Sequence, residues 1–510
     1  MISRTIPDTY KGYGDVRPTM NQTKSHTAQV GDLLDEDPII DSLRKKGRTP
    51  IRYEELSQII RASGLADGMR ISFHHHLRLG DRVLQMVLEE LMKMGFKDLT
   101  LCLSSVMGEA CKAVLQAVET GVISMIETTG MKPPLSTAVQ QATLGIPVVI
   151  RSHGGRARAL MQEDISIQVA FIAASACDRR GNITGAVGPN RFGSIGYAIP
   201  DALRSEYVVV ITDHEEESIP VSIPYQAIDG LLRVPSIGAK EGLSGGSIRR
   251  TKRPVEKLIA RRAAEVIIAS DLVRAEFSFQ VGSGGISLEV SQILAEYLKK
   301  RDIKCSFISG GITEPLVKMH EEGLVERLYD VQSFDDAAAV SLSENKEHIE
   351  MSSSLYADPT NESCLAHRLD IMVLSATEVD LDFNVNSFTG TDGRILGALG
   401  GAPDTAAGAR LTVVVLPSFR GRIPSICSSV RTVCTPGGTV DVVVTERGIA
   451  VNPLREDILS CLKTAGIPTL TMGELLEKVL GITGKPMSIA RHAQLQGIVE
   501  YRDGTVIDTF

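Results

Sequence analysis

Apolar and polar positions in this chain follow two periods in turn: short apolar runs typical of strands, and the i, i+3, i+4, i+7 spacing typical of helices. The clearest example is residues 277–311. There the apolar run 277–281 ends in a glycine loop, and the apolar positions that follow have helical spacing, namely Val290, Ile293, Leu294 and Tyr297. The pattern predicts a strand, a glycine loop, a helix and a second strand.

The glycine loop consists of Gly282, Ser283, Gly284 and Gly285. Such a loop lets backbone N–H groups approach a ligand, and the N-terminus of the following helix favours negative charge. The loop is therefore a candidate cradle for an anion or an acyl group. Ordinary tight turns have the same composition, so this interpretation stays open at this point.

The same pattern occurs 206 residues earlier, where Leu84, Val87, Leu88 and Leu91 fall on the four helical positions. Further matches follow in the same order at offsets of 202 and 203: residues 169–178 match 371–380, and Pro200-Asp201 matches Pro403-Asp404. Ordered matches at a nearly constant offset indicate a duplication. We predict an α/β protein with two related open-sheet domains, residues 49–250 and 251–510, after an N-terminal arm over residues 1–48.

Composition narrows the class of protein. A chain of 510 residues is too long for one hydrophobic core. The net charge of −8 disfavours nucleic-acid binding, and the basic run 249–253 is interpreted as a solvated segment between domains. The eight cysteines form no C-x-x-C pair, which indicates a reducing cytoplasm. No apolar run approaches the length of a membrane span, so we expect no membrane association.

Histidines and arginines follow two predicted strands of the first half. His74, His75 and His76 precede Arg78, and Arg151 precedes His153. Neighbouring side chains on a strand point to opposite faces, so three consecutive histidines cannot hold one metal ion, and we predict no metal site. At the carboxyl ends of parallel strands these residues are suited to an anionic substrate. A surface loop or a helix cap explains them equally well.

In the second half, the predicted strand 369–375 leads into a polar cluster, Glu378, Asp380, Asp382, Asn384 and Asn386. Alternate residues of an extended segment share a face, so these side chains can project together. They can also cap a turn through local hydrogen bonds.

Several stretches resemble the citrate lyase alpha subunit family, from about residue 50 to the C-terminus: DGMRISFHHHLRLGD, RSHGGR, VGSGGISL, ISGGIT, DVQSFD, ATEVDLDFNVNSFTGTDG, LGGAPDTA, RGRIPSI, TERGIAVNP and YRDGTVIDT. The resemblance implies two fused halves of the coenzyme A transferase fold, in agreement with the duplication. Related transferases carry a nucleophilic glutamate in the loop comparable to residues 309–312. Here that loop contains Gly310 and Gly311 instead.

The implied reaction is acetyl-carrier protein plus citrate giving citryl-carrier protein plus acetate, through a ternary complex and a mixed anhydride, without a glutamyl thioester. The implied partners are a beta subunit, which cleaves the citryl thioester, and a gamma subunit, the acyl carrier protein. We expect a homo-oligomer within that complex. No permanently bound cofactor is expected, because the partner carries a dephospho-coenzyme A-derived group, for which acetyl-coenzyme A is a surrogate.

The resemblance assigns three sets of site residues. Catalytic roles fall to Gly310, Gly311, Glu378 and Asn384; substrate binding to His74, His75, Arg78, Arg151 and His153; and cofactor binding to Gly282, Ser283, Gly284, Gly285, Gly400 and Gly401. The reasons are that a citrate trianion needs cations or hydrogen-bond donors, and that developing oxyanions need backbone donors. Glu378 or Glu314 stays open as a nucleophile in another register.

Other functions remain open from sequence. The chain can be a citramalate lyase alpha subunit, or a transferase or hydrolase acting on free acyl-coenzyme A. A protein of similar fold that binds a metabolite without catalysis is a third interpretation, since α/β scaffolds support many functions.

Overall fold

The computed structural model describes residues 24–26, 33–243, 251–485 and 495–510. Most of the arm predicted over residues 1–48, and part of the basic run 249–253, lie outside the described residues. The elements of the first half are β1 (Ile51–Tyr53), β2 (Arg70–Phe73), β3 (Leu99–Leu103), β4 (Ile123–Thr128), β5 (Val148–Arg151), β6 (Val169–Ala174), β7 (Ala176–Cys177), β8 (Ile183–Thr184), β9 (Tyr207–Thr212) and β10 (Gly230–Arg233), with α1 (Ile39–Arg44), α2 (Leu56–Ala62), α3 (Val83–Met94), α4 (Ala110–Glu119), α5 (Leu135–Gln140), α6 (His153–Met161) and α7 (Ile199–Arg204).

The second half and the C-terminus contain the remaining elements. The strands are β11 (Ser278–Val281), β12 (Cys305–Ile312), β13 (Val325–Ser333), β14 (His348–Glu350), β15 (Ile371–Ser375), β16 (Glu378–Asp380), β17 (Val385–Asn386), β18 (Leu411–Val415), β19 (Phe419–Arg420), β20 (Ile423–Pro424), β21 (Ile426–Cys427), β22 (Val442–Val444), β23 (Ile449–Val451), β24 (Gly497–Glu500) and β25 (Val506–Thr509). The helices are α8 (Pro254–Ala269), α9 (Gly285–Arg301), α10 (Glu314–Glu321), α11 (Asp336–Glu344), α12 (Ser353–Ala357), α13 (Ala402–Gly408), α14 (Glu456–Thr464) and α15 (Met472–Thr483).

The two large sheets repeat one strand order, which confirms the predicted duplication. The first sheet contains β10-β9-β6-β2-β3-β4-β5, and the second contains β22-β18-β15-β11-β12-β13-β14 in the corresponding places. Neighbours within both series pair in parallel. Helices α3 and α9, which carry the repeated apolar pattern, follow the equivalent strands β2 and β11, so the repeat in the sequence is a repeat in the fold.

The C-terminal strands depart from the domain division made from sequence. Strand β24 pairs in parallel with β5, with Gly497 opposite Val148, and β25 pairs antiparallel with β24. The end of the predicted second domain, residues 251–510, thus completes the first sheet. Local periodicity identifies a strand but not the sheet it joins, because the partner is set by contacts distant in sequence.

The two halves are also packed together. Phe388, Ile395, Leu399 and Cys434 of the second half belong to the hydrophobic core of the first. The Leu399 N–H donates to Thr129 O at 2.9 Å, and Gly130 pairs with Ala398. This packing fixes the carboxyl ends of the first sheet against those of the second. Among the described residues, no helix has the length and apolarity needed to cross a bilayer.

Candidate functional site

The carboxyl ends of strands from both sheets meet at the junction of the two halves, and we call this junction the cleft. Arg78 follows β2, and its guanidinium carbon lies 4.9 Å from the centroid of the Phe334 ring, which follows β13. A Cβ added to Gly311 would lie 2.0 Å from the same ring. Arg78 of the first half and Gly311 of the second are therefore neighbours in the cleft.

Gly310 and Gly311 interrupt the regular pairing of β12. The register with β13 shifts between them, as at a β-bulge, and Gly310 has a φ of +104°. A Cβ at Gly310 would lie 2.6 Å from Nε2 of Gln280. Bulges redirect backbone groups next to active sites, and glycine is the residue that adopts this backbone angle without strain. No side chain fits at either position without displacing Gln280 or Phe334.

His153 and the Gly400–Gly401 loop form the other side of the cleft. The His153 N–H donates to Gly400 O at 2.9 Å, and the His153 ring lies 4.4 Å from the ring of Tyr197. A Cβ at Gly401 would lie 2.3 Å from the Tyr356 hydroxyl. That hydroxyl accepts a hydrogen bond from Nε2 of Gln280 at 2.8 Å. Gln280 thus connects the Gly401 loop to the Gly310 bulge.

Two buried aspartates at equivalent positions of the duplication hold helix α6 in place. Asp201 accepts two hydrogen bonds of 2.8 Å from the Arg156 guanidinium. Asp404 accepts from the Ser152 hydroxyl at 2.8 Å and from the Gly154 N–H at 3.0 Å. Each half thus contributes one aspartate to the first turns of α6, which begins at His153.

Burial keeps the histidines of the cleft neutral. Burial lowers the pKa of His153 to about 3, assisted by the charge of Arg156, and lowers the pKa of His75 well below its ordinary value. His74 Nε2 is 3.0 Å from Asp201, and burial outweighs this carboxylate so that its pKa is lowered too. At neutral pH these imidazoles act as hydrogen-bonding groups rather than cations.

Arg78 differs from the other buried arginines of the first half. Within the described residues no carboxylate pairs with it, and its backbone φ is +53°. A positive φ is uncommon for a residue other than glycine and tends to persist at functional positions. Burial lowers the pKa of its guanidinium without bringing it near neutrality. The cleft therefore contains a half-buried cation with no counter-ion among the described residues.

The Gly282–Gly285 loop lies farther along the same edge of the second sheet. Gly285 and Ile286, at the start of α9, line a cavity of 430 Å³ together with Ser375, Phe419, Arg253 and Arg420. A Cβ at Gly284 would lie 2.5 Å from Ser375 Oγ, so a side chain there would have to displace that hydroxyl. The strand order β12-β11-β15-β18 places this cavity within about 14 Å of the Gly310 bulge, three strand spacings away.

Three residues assigned from sequence have other contacts in the structure. The Arg151 guanidinium is 3% exposed and is paired with Glu127 at 2.7 Å and Glu500 at 2.9 Å, so we reassign it to the interior of the first sheet. Glu378 is buried and accepts hydrogen bonds from Asn386 Nδ2 at 2.9 Å and from the hydroxyl of Thr391. Asn384 bonds to Asp380 and to the Gly437 N–H, as expected for a turn that satisfies its own backbone.

Glu314 does not have the environment expected of a nucleophile. It begins α10, its side chain is about half exposed, and it pairs with Lys318 at 2.6 Å. The remaining assigned residues belong to the cleft, His74, His75, Arg78, His153, Gly310, Gly311, Gly400 and Gly401, or to the adjoining loop, Gly282, Ser283, Gly284 and Gly285.

Sequence reasoning did not select several residues that shape the cleft: Tyr197, Gln280, Phe334, Tyr356, Asp201 and Asp404. The two aspartates carried a usable signal, because both follow a proline in the repeated Pro-Asp pair. In the sequence, the aromatic residues and Gln280 stand among ordinary apolar residues and carry no signal. Only the packing of the two halves brings them to the site.

The repeated strand order and the glycine-lined cleft define a two-domain α/β protein of the coenzyme A transferase type. A malonate decarboxylase hetero-tetramer from Pseudomonas, solved with malonate, shares this fold with a TM-score of 0.62 at 16% identity, over 87% of this chain and 89% of that chain. The family model "Citrate lyase, alpha subunit (CitF)" matches residues 52–510. The chain therefore belongs to the citrate lyase alpha subunit family.

Individual relatives agree with this family. The citrate lyase alpha chain of Klebsiella pneumoniae is 43% identical over 89% of this chain and 90% of its own length, and that of Haemophilus influenzae is 42% identical over 92% and 95%. A crystal structure from Streptococcus mutans, assigned as the alpha subunit of citrate lyase and solved in complex with citrate, has a TM-score of 0.90 at 41% identity. It covers 100% of this chain and 98% of that chain.

Proposed function

We propose that this protein exchanges acetate for citrate on the thioester of an acyl carrier protein, as the transferase component of a citrate lyase complex. The observation that carries the proposal is Arg78, a half-buried cation with no carboxylate partner in the described part of the chain, next to Gly311 and Phe334 in the cleft between the halves. A half-buried cation of this kind is suited to a carboxylate ligand, and a bidentate arginine–carboxylate contact also sets orientation.

Citrate is a trianion, and the neutral imidazoles complement Arg78 in binding it. His75 lies beside Ser104, with Nδ1 and Oγ 2.6 Å apart, and His153 lies against Tyr197 on the opposite side. Neutral rings donate one hydrogen bond each to carboxylate or hydroxyl oxygens. Arg156 does not take part, because Asp201 engages its guanidinium at two atoms.

The acyl transfer proceeds without a carboxylate of the protein. One citrate carboxylate oxygen attacks the acetyl carbonyl and the carbon–sulfur bond breaks, which leaves a mixed anhydride and a thiolate. The thiolate then attacks the citryl carbonyl, and acetate departs. By the resemblance, Gly310 and Gly311 belong to the loop that carries the glutamate in related transferases, and Glu314 and Glu378 are engaged elsewhere.

The site fits a long acyl-carrying arm supplied by a partner. The cavity beside Gly285 has a glycine-lined wall, the N-terminus of α9 and two arginines at its rim, a combination suited to phosphate. When bound, the partner's prosthetic group supplies the thiol that carries the acyl group. The proposed role of the Gly310–Gly311 bulge is to donate backbone N–H groups to the developing oxyanion, an effect worth about 3 kcal/mol for one hydrogen bond.

The test first exchanges labelled acetate into acetyl-carrier protein. It then measures release of the label with and without citrate or citramalate. We expect citrate to release the label at a rate that requires Arg78, with Arg78→Gln reducing kcat/KM by about 100-fold. Release by citramalate alone would assign the chain to the citramalate enzyme. Hydrolysis of free acyl-coenzyme A without an acceptor would make it a hydrolase, and citrate binding without exchange would make it a non-catalytic binder.

A second measurement tests the chemical route. Hydroxylamine or borohydride, added during turnover, reacts with an enzyme-bound glutamyl thioester. We expect no labelled glutamate peptide from this chain. Recovery of a modified Glu314 or Glu378 would refute direct attack by citrate.

A further inference from the structure

A cluster of exposed cations surrounds the mouth of the cavity beside Gly285. We call it the basic face, and its members are Lys252, Arg253, Lys257, Arg261, Arg420, Arg422 and Arg447. The whole chain has 62 acidic and 54 basic residues and a net charge of −8. A positively charged patch on a protein of negative net charge favours a negatively charged partner.

The geometry places these cations on one surface. Arg253, Lys257 and Arg261 are spaced four residues apart along the start of α8, so they form one stripe. Arg420 and Arg422 belong to the β19–β20 hairpin, whose Phe419 lines the same cavity as Arg253. The Arg447 guanidinium carbon lies 5.9 Å from the Phe419 ring centroid, which joins it to the group.

Carboxylates within this area neutralise only part of its charge. Glu256 is held by Arg253 at 3.2 Å and by the hydroxyl of Thr251. Glu446 is 9% exposed and accepts from the Ser418 N–H at 2.9 Å. Glu446 also lies 3.6 Å from Arg447, and the exposed Glu265 lies one helical turn beyond Arg261. Three acids therefore accompany the seven cations, and the basic face keeps an excess of positive charge.

Apolar side chains are exposed between the cations. Val255 and Leu258 on α8 are 48% and 39% exposed, and Ile423 on the hairpin is 47% exposed. The opposite side of α8 is buried through Ile259, Ala263 and Val266. Apolar residues within a charged surface are typical of a protein contact, where burial adds to electrostatic attraction.

We propose that the basic face is the docking surface for an acidic protein domain that presents the acyl thioester on a flexible arm. This rests on the proposed function. A domain seated on α8 and the β19–β20 hairpin has the cavity directly beneath it. From there the Gly310 bulge is about 14 Å farther along the sheet edge, a distance that a long arm spans and a folded domain does not.

The variant that tests this carries Lys257→Glu and Arg261→Glu, which reverse two charges of the stripe and do not line the cavity. The matched control carries Lys299→Glu and Lys300→Glu at the far end of α9, with the same change in net charge. Acetyl transfer to citrate is measured with acetylated carrier protein and, separately, with acetyl-coenzyme A, at low and high salt.

For the stripe variant we expect KM for the carrier protein to rise about tenfold or more at low salt, with kcat for acetyl-coenzyme A unchanged, and with the difference shrinking at high salt. The control retains the wild-type KM for both substrates. Equal effects on both thioesters, equal effects in both variants, or no effect would overturn the proposal.

Direct binding separates this proposal from the proposed function. Calorimetry with the unacylated carrier protein and the full-length chain reports docking even if no acyl transfer occurs. Loss of binding in the stripe variant alone supports the docking surface. Retained binding in that variant, or tight binding of a polynucleotide at the face with none of the carrier protein, refutes it.

Discussion

Replacement of Arg151 by methionine tests whether this arginine supports the fold or binds the substrate. The Arg151 side chain is 3% exposed and contacts Glu127 on β4 and Glu500 on the C-terminal strand β24. Methionine preserves much of the buried volume but leaves two carboxylates close together with one fewer cation. We expect this loss to destabilise the first sheet and the attachment of the C-terminal strands.

The size of the effect follows from the burial. Breaking a buried ion pair by removing one partner costs about 3 to 5 kcal/mol, because the remaining charge stays desolvated. For domains of this size, 1 kcal/mol shifts the unfolding midpoint by about 2 to 4 °C, so we expect a decrease of about 10 °C. Burial already raises the pKa of Glu500, so proton uptake relieves part of the cost and the decrease should be smaller at acid pH.

Thermal unfolding followed by circular dichroism measures the change, and citrate kinetics well below the midpoint provide the comparison. Arg78→Met is the matched control, since it removes a cleft arginine that no carboxylate in the described ranges pairs with. That variant should keep its unfolding midpoint and lose activity, the reverse of Arg151→Met. Adding Glu500→Gln to Arg151→Met should recover part of the lost stability.

The opposite pattern would refute this reasoning. An Arg151→Met variant that unfolds within about 1 °C of the wild type, while its KM for citrate rises tenfold, would return Arg151 to the substrate site.

Three further results are expected. Gly311→Ala should abolish acetyl transfer and lower stability by about 1 to 3 kcal/mol, because a Cβ would lie 2.0 Å from the Phe334 ring. Gly481→Ala is the matched control, since its added Cβ would meet no neighbouring atom within 4 Å and its φ is not positive, and it should retain activity. An active Gly311→Ala would contradict the role of the bulge. Burial raises the pKa of Asp404 to about 6 from an ordinary 3.8, so the folded state binds this proton more tightly than the unfolded state and the wild type loses stability as pH rises through that window. Chemical denaturation at pH 4 and pH 7 should therefore show the stability of Asp404→Asn, relative to the wild type, increasing by up to about 3 kcal/mol between the two pH values. A stability difference that does not change with pH would exclude this. Because burial depresses the pKa of His75 and His153, these rings should contact citrate in the neutral form, and citrate binding should take up no proton on them. Calorimetry in buffers of different ionisation enthalpy, at a slightly alkaline pH where citrate is fully ionised, counts the protons exchanged. Uptake of a proton on binding, abolished by substitution of either histidine, would contradict contact through neutral imidazoles.

The periodicity of apolar residues in the sequence was sufficient to predict the local architecture. Helices α3 and α9 and the strands before them occur where apolar spacing predicted them, because one face of each must be buried whatever its partner. The repeat at offsets of 202 to 206 corresponds to two sheets with one strand order. The glycine loops and Arg78 were also identifiable, since each follows a predicted strand at the edge where open α/β sheets bind ligands.

Tertiary structure alone decided which of these features share a site and which charges are paired. Arg78, Arg151 and Arg156 cannot be told apart from the sequence. Only the packing of the chain pairs Arg151 with Glu127 and Glu500, and Arg156 with Asp201. The C-terminal strands joined the first sheet, and Asp404 reached helix α6 of the other half. The physical reason is that secondary structure follows from neighbours a few residues away, whereas pairing, burial and pKa depend on groups hundreds of residues apart in the chain.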